Sequence, residues 1–139
     1  MQNEVFILDS NIWISYLITR RLDTLVVLIQ QNHLIILTSQ HLIEEISEVL
    51  FRPKFKKYLK QSDIKEFIAI HLKLCRHIDA DESPTQLTDS KDNFLLNLYD
   101  NGRATVLVSG DKELLREASE LKYQVWTLKE FELFFSREI

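Results

Sequence analysis

The sequence predicts an α/β domain built on a mainly parallel sheet. Short apolar runs of strand length, "VFIL", "LIIL", "TVLVS" and "QVW", alternate along the chain with longer segments of helical period. That alternation is the mark of strand–helix–strand units. At 139 residues and 45% apolar content the chain can bury a real hydrophobic core and is too apolar for disorder. It shows no internal repeat, low-complexity stretch or linker, so residues 1–139 read as a single domain.

Val5–Leu8 reads as the first strand. Ile12, Ile14, Tyr16 and Leu17 mark a first helical segment, and Leu22, Leu25, Val26, Leu28 and Ile29 a second. Leu34–Leu37 is the next strand-like run. From Ser39 the period turns helical again through Leu42, Ile43, Ile46, Val49 and Leu50, until Pro53 interrupts it. A further helix is expected from Asp63 to about His77, with Ile64, Phe67, Ile68, His71, Leu74 and Cys75 on one stripe and Asp63 and Glu66 at capping-box spacing. The polar "DADESPTQLT" reads as a surface loop. A helix should follow from near Asp89 or Ser90 to "DNG", with Gly102 as its left-handed terminal residue. "TVLVS" is a strand, "KELLREASEL" a helix and "QVW" a last short strand. Thr127 and Glu130 then form a capping box for "LKEFELFF".

Composition removes several function classes. The only glycines are Gly102 and Gly110, so neither a P-loop nor a dinucleotide GxGxxG is present. A formal net charge of −4 argues against indiscriminate nucleic-acid binding. It leaves a nucleic-acid substrate open, because acids clustered at a metal site would raise the acidic count. No apolar run reaches bilayer length, and the N-terminus lacks the layout of a signal peptide. The lone Cys75 cannot form an intramolecular disulfide, so a cytoplasmic location is expected, and its apolar neighbours make it a core residue rather than a nucleophile. His33, His41, His71 and His77 are scattered without zinc spacing; the last three read as helix-surface or core-edge residues. No nucleophile elbow appears.

The informative residues are carboxylates that break local patterns. Asp9 ends the first strand, where a carboxylate is costly unless a charge or hydrogen-bond donor meets it. Asp111 follows the strand "TVLVS" in the same way. Each would serve as a helix cap. Both also fall at the carboxyl edge of a parallel sheet, where ligands bind. In the helix after Ser39, with Leu42 at zero, the apolar stripe centres near about 40°. Glu44 and Glu48 fall near about 200° and 240°, towards water, and Glu45 near about 300°, at the stripe's margin. The arithmetic selects Glu45. Asp89 and Asp92 open the next helix, where acids complement the dipole. Asp92, one turn before Leu96, is the better candidate to face inwards. Four mutually close carboxylates need raised pKa values or a cation. Mg²⁺ or Mn²⁺ answers that with oxygen ligands, and such sites commonly serve phosphoryl chemistry by activating water and stabilising charge on phosphate.

The order "ILDSN … LIEEI … RPKF … DSKDNFLL … LVSGDKELL … VWTLKEF" resembles the PIN-domain family, in particular its toxin components of toxin–antitoxin systems. The resemblance spans nearly the whole chain. It implies a three-layer α/β/α sandwich and Mg²⁺- or Mn²⁺-dependent endoribonuclease activity on single-stranded RNA. It implies Asp9, Glu45, Asp92 and Asp111 as the catalytic and metal-binding acids, and Asn11 and Ser109, with Asp89 nearby, as polar residues that orient them. A small antitoxin partner and a homodimer are implied too. The chain departs from the family with "TDS" around Asp89 where "RDP" is common, and with Thr105 where an Asp often precedes the fourth strand.

RNA would need basic contacts. Arg52, Lys54, Lys56, Lys57 and Lys60 form the densest basic stretch, with Phe55 and Tyr58 interleaved, either as stacking partners or as the inner side of a solvated helix. Lys112 and Arg116 follow Asp111 and lie within reach of a phosphate near it. A non-catalytic interaction module is the alternative from another class, motivated by the substituted third-acid surroundings. A receiver-type domain needs an acid pair after the first strand and a haloacid-dehalogenase site needs Asp-x-Asp; "LDSN" supplies neither.

Overall fold

The computed structural model describes residues 4–79 and 92–136. Five strands, β1 (Val5–Leu8), β2 (Ile35–Thr38), β3 (Arg76–His77), β4 (Val106–Val108) and β5 (Val125–Trp126), form one sheet in the order β3-β2-β1-β4-β5. Every pairing is parallel, with Ile7 of β1 opposite Leu37 on one side and Leu107 on the other. Helices α1 (Ser10–Ile18), α2 (Leu22–Gln31), α3 (Gln40–Leu50), α4 (Gln61–Leu74), α5 (Asn93–Gly102), α6 (Lys112–Glu120) and α7 (Leu128–Ser136) complete a three-layer α/β/α sandwich.

The central strands explain why the sequence is legible there. Phe6, Ile7, Leu8, Val106, Leu107 and Val108 are all buried. A parallel strand covered on both faces carries a continuous apolar run rather than an alternating one. Phe6 packs edge-on against Phe131 at 5.3 Å between ring centres, which seats α7 on the sheet. The buried Tyr16 hydroxyl donates to Oε2 of Glu132 at 2.6 Å, and Arg21 donates to the same oxygen at 2.8 Å, pinning α1 and α2 to α7. Thr127 and Glu130 exchange side-chain bonds to each other's backbone N–H at 2.9 and 3.1 Å, the expected capping box. No helix among the described residues is long and apolar enough to cross a membrane.

Several expectations need correction. α4 starts at Gln61 and stops at Leu74, short of His77. Asp63 is its third residue and accepts from Lys60 N at 2.8 Å, so Asp63 closes the box rather than opening it with Glu66. Arg76 and His77 form β3 instead, an exposed edge pair held by backbone bonds to β2 and therefore without apolar signature. His71 is not at the surface. It is fully buried, bonded through Nε2 to Thr38 Oγ1 at 2.7 Å and packed edge-on to Trp13 at 4.5 Å. Cys75 packs against the core, and burial pushes its thiol up. α5 begins at Asn93 among the described residues; the expected start at Asp89 or Ser90 lies outside them.

The left-handed residue after α5 is Arg103, with φ of 53°, not Gly102. Gly102 is small for another reason: a Cβ there would sit 2.2 Å from Cδ1 of the buried Leu37. Arg20, His33 and Lys122 also adopt positive φ just beyond α1, α2 and α6. A chain with two glycines ends its helices on L-residues, at about 1 kcal/mol of backbone strain each.

Candidate active site

Parallel strands share one carboxyl edge, and β1 and β4 are neighbours, with Leu8 opposite Val108. The next residues, Asp9 and Ser109, therefore emerge side by side, and Asp9 N donates to Val108 O at 2.9 Å. Asp9 is only 5% exposed. Its Oδ1 accepts from Ser10 N at 2.7 Å, and its Oδ2 accepts from Ser109 Oγ at 2.8 Å and Asn11 Nδ2 at 3.3 Å. Ser109 Oγ in turn accepts from Asp111 N at 3.0 Å, and Asn11 Oδ1 accepts from Gly110 N at 3.0 Å. Two polar side chains thus bind the two strand ends to each other through a single carboxylate.

Capping accounts for part of this arrangement. Asp111 precedes α6 and its Oδ1 accepts from Glu113 N and Leu114 N at 3.0 and 3.2 Å. Asp9 precedes α1 and bonds Ser10 N. A cap does not require burial, though, and Asp9 is buried. Burial raises its pKa above 3.8, the Ser109 and Ser10 bonds pull it back, and the charges of Glu45 and Asp111 push it up further. Glu45 and Asp111, from two other segments, therefore act on Asp9 through space.

The helical arithmetic holds for α3: Glu44 and Glu48 are exposed and Glu45 is half-buried. Asp92 is half-buried and directly precedes α5, with φ of −95° and ψ of −2°. Asp89 lies outside the described residues. Among the described residues, no three carboxylate, histidine or cysteine side chains stand close enough to grip an ion between them. The donor chemistry still fits a hard divalent cation: all-oxygen ligands, with a buried acid whose ionisation is opposed by two others.

The basic candidates lie on the surface. Arg52 is exposed, 4.0 Å from Glu48. Lys54 lies over the Phe55 ring at 5.0 Å, and that ring packs against the core, whereas Tyr58 is 52% exposed. Lys112 is exposed at the first turn of α6, and Arg116 is engaged by Glu113 and Glu120 on the same helix. Thr105 stands at the amino end of β4, where Val5 N donates to its hydroxyl at 3.2 Å. That is the sheet edge opposite the acids, so this departure from the family pattern does not touch them.

Sequence reasoning missed a cavity of about 240 Å³ lined by Ser39, Gln40, His41, Ile78, Asp79, Phe94 and Asn97. It lies on the same sheet edge, since Ser39 follows β2 as Asp9 follows β1. No local pattern announces it, because α3, the end of β3 and α5 each supply only part of its wall.

A family model described as PIN domain matches residues 5–113. Among solved structures, the crystal structure of PAE2754 from Pyrobaculum aerophilum is similar, with a TM-score of 0.64 and 13% sequence identity over 96% of this chain and 90% of that one. At that identity the likeness speaks for the fold alone. None of the curated proteins matches the chain.

Proposed function

Because the chain belongs to the PIN-domain family, a nuclease-type fold, we propose that it is a divalent-metal-dependent endoribonuclease that cleaves single-stranded RNA. The observation that carries this reading is Asp9: a buried carboxylate at the end of the central strand, clamped by Ser109 and Asn11 and opposed by the charges of Glu45 and Asp111. In this reading Asp9, Glu45, Asp92 and Asp111 would hold Mg²⁺ or Mn²⁺, which would supply water activation and charge stabilisation at the phosphate.

The chain's own residues do the positioning. Ser109 and Asn11 fix the rotamer of Asp9, so that its carboxylate is oriented before a cation arrives. Glu45 and Asp111, the more exposed of the three acids, approach from α3 and from the start of α6. Asp92, directly before α5, is the fourth acid this reading assigns, with Asp89 as its support. Lys112 and Arg116 on α6, just beyond Asp111, and Arg52 and Lys54, beyond the end of α3, are the phosphate contacts this reading assigns. The motif order in the sequence supports a finer reading: the cytoplasmic toxin component of a toxin–antitoxin pair, a homodimer neutralised by a small antitoxin.

Incubation of purified protein with end-labelled single-stranded RNA and Mn²⁺, beside an Asp9→Asn variant, tests the proposal. Cleavage by the wild type alone is expected. Equal cleavage by both proteins would sink it.

A further inference from the structure

We propose that the cavity beside the acidic edge is a nucleobase subsite, with Asn97 as the residue that pairs with the edge of the base. The inference deepens the ribonuclease reading and rests on it for the class of ligand.

Three observations carry it. First, the cavity continues the edge where the reaction is placed: Ser39 and Asp9 follow adjacent strands, and a volume of about 240 Å³ accommodates one base. Second, Asn97 is nine-tenths buried, lines the cavity, and its Oδ1 has no hydrogen-bond partner among the described residues. A buried acceptor left unmade is costly, and a ligand that satisfies it gains that difference. Half a turn of the carboxamide exchanges its oxygen and nitrogen, so it can pair with a base edge that offers a donor beside an acceptor. Third, His41 and Phe94 stack at 3.9 Å with their planes 7° apart. Phe94 lies one turn before Asn97 on α5, on the same side of the helix. The exposed His41 ring lies on one face of Phe94 and leaves its own outer face open, and bases stack on such ring faces.

Asp79 is exposed at the cavity's rim, with His77 Nε2 at 3.2 Å from Oδ1, and Ser39 Oγ already accepts from Leu42 N. Adenine, cytosine and guanine offer an exocyclic amine or ring N–H beside an acceptor, and uracil its N3–H beside a carbonyl, so each of the four bases meets the Asn97 carboxamide with a matching edge.

The test is an NMR titration of the metal-free full chain with each of the four nucleoside monophosphates at millimolar concentration. Saturable shifts at the backbone amides of Gln40, His41 and Asn97 are expected with all four, and none with ribose 5-phosphate, which lacks the base. Asn97→Leu should weaken all four about tenfold. His41→Ala, at an exposed position, should weaken every base about tenfold. Shifts confined to other surfaces, equal shifts with ribose 5-phosphate, or an unchanged His41→Ala would overturn the subsite. No cation or cleavage enters this measurement. Base binding in a chain that never cuts RNA supports the subsite and overturns the ribonuclease reading; Asp9-dependent cleavage without base binding here does the reverse.

Discussion

Ser109 donates to Oδ2 of Asp9 at 2.8 Å while accepting from Asp111 N at 3.0 Å. One hydroxyl therefore locks together the carboxyl ends of β1 and β4 and holds the buried acid in a single orientation. Removing it leaves a buried carboxylate short of a donor. Ser109→Ala should destabilise the fold by about 2 kcal/mol in urea unfolding and push Asp9 to a still higher pKa. In calorimetry its Mn²⁺ affinity should fall by roughly ten- to a hundredfold.

Asp9 makes the metal-free fold pH-dependent in an unusual direction for a carboxylate. Its folded pKa lies above 3.8, raised first by burial. The stability it contributes is thus present in full below pH 3.8 and lost as pH rises through the folded value. Asp9→Asn should be more stable than the wild type at neutral pH, with the gap closing as pH falls towards 3.8. Parallel urea curves for the two proteins check this, and a gap that widens on acidification would contradict it.

His71 works in the opposite sense. Burial lowers it from 6.5 to about 4, and its neutral ring is bonded to Thr38. The stability this gives is present above pH 6.5 and lost as pH falls towards about 4; linkage puts the loss at about 3 kcal/mol. Its ring protons should show no titration near 6.5 by NMR, and a His71→Phe variant should lose less stability on acidification than the wild type.

Gly102→Ala should cost about 1–3 kcal/mol, since the new methyl meets Leu37 in a packed core and the Leu side chain must yield. A thermal melt within error of the wild type would show that the β2–α5 contact is looser than described.

Local pattern carried the fold where burial is two-sided or a helix is amphipathic. β1, β4 and the stripe of α3 could be read for that reason, and Glu45 was separated from Glu44 by rotation alone. β3 could not be read, because Arg76 and His77 are exposed and their place is fixed by backbone bonds to β2. His71 misled because its partner Thr38 is remote in sequence, and a buried histidine on an apolar stripe looks like a boundary residue. At the site, Asp9 announced itself as a charge at the end of a core strand. Its tie to Ser109, 100 residues away, was available only through family resemblance, and the wall shared by His41, Phe94 and Asn97 left no trace in any one segment.

Asp9, opposed by Glu45 and Asp111, is the proposed seat of a divalent cation. Calorimetric titration of Mn²⁺ into metal-free protein at neutral pH, beside the folded Asp9→Asn variant, tests it most directly. Saturable binding by the wild type and none by the variant is expected. Equal binding by both, or none by either, would contradict it; the second result would leave a PIN-type interaction module without catalysis.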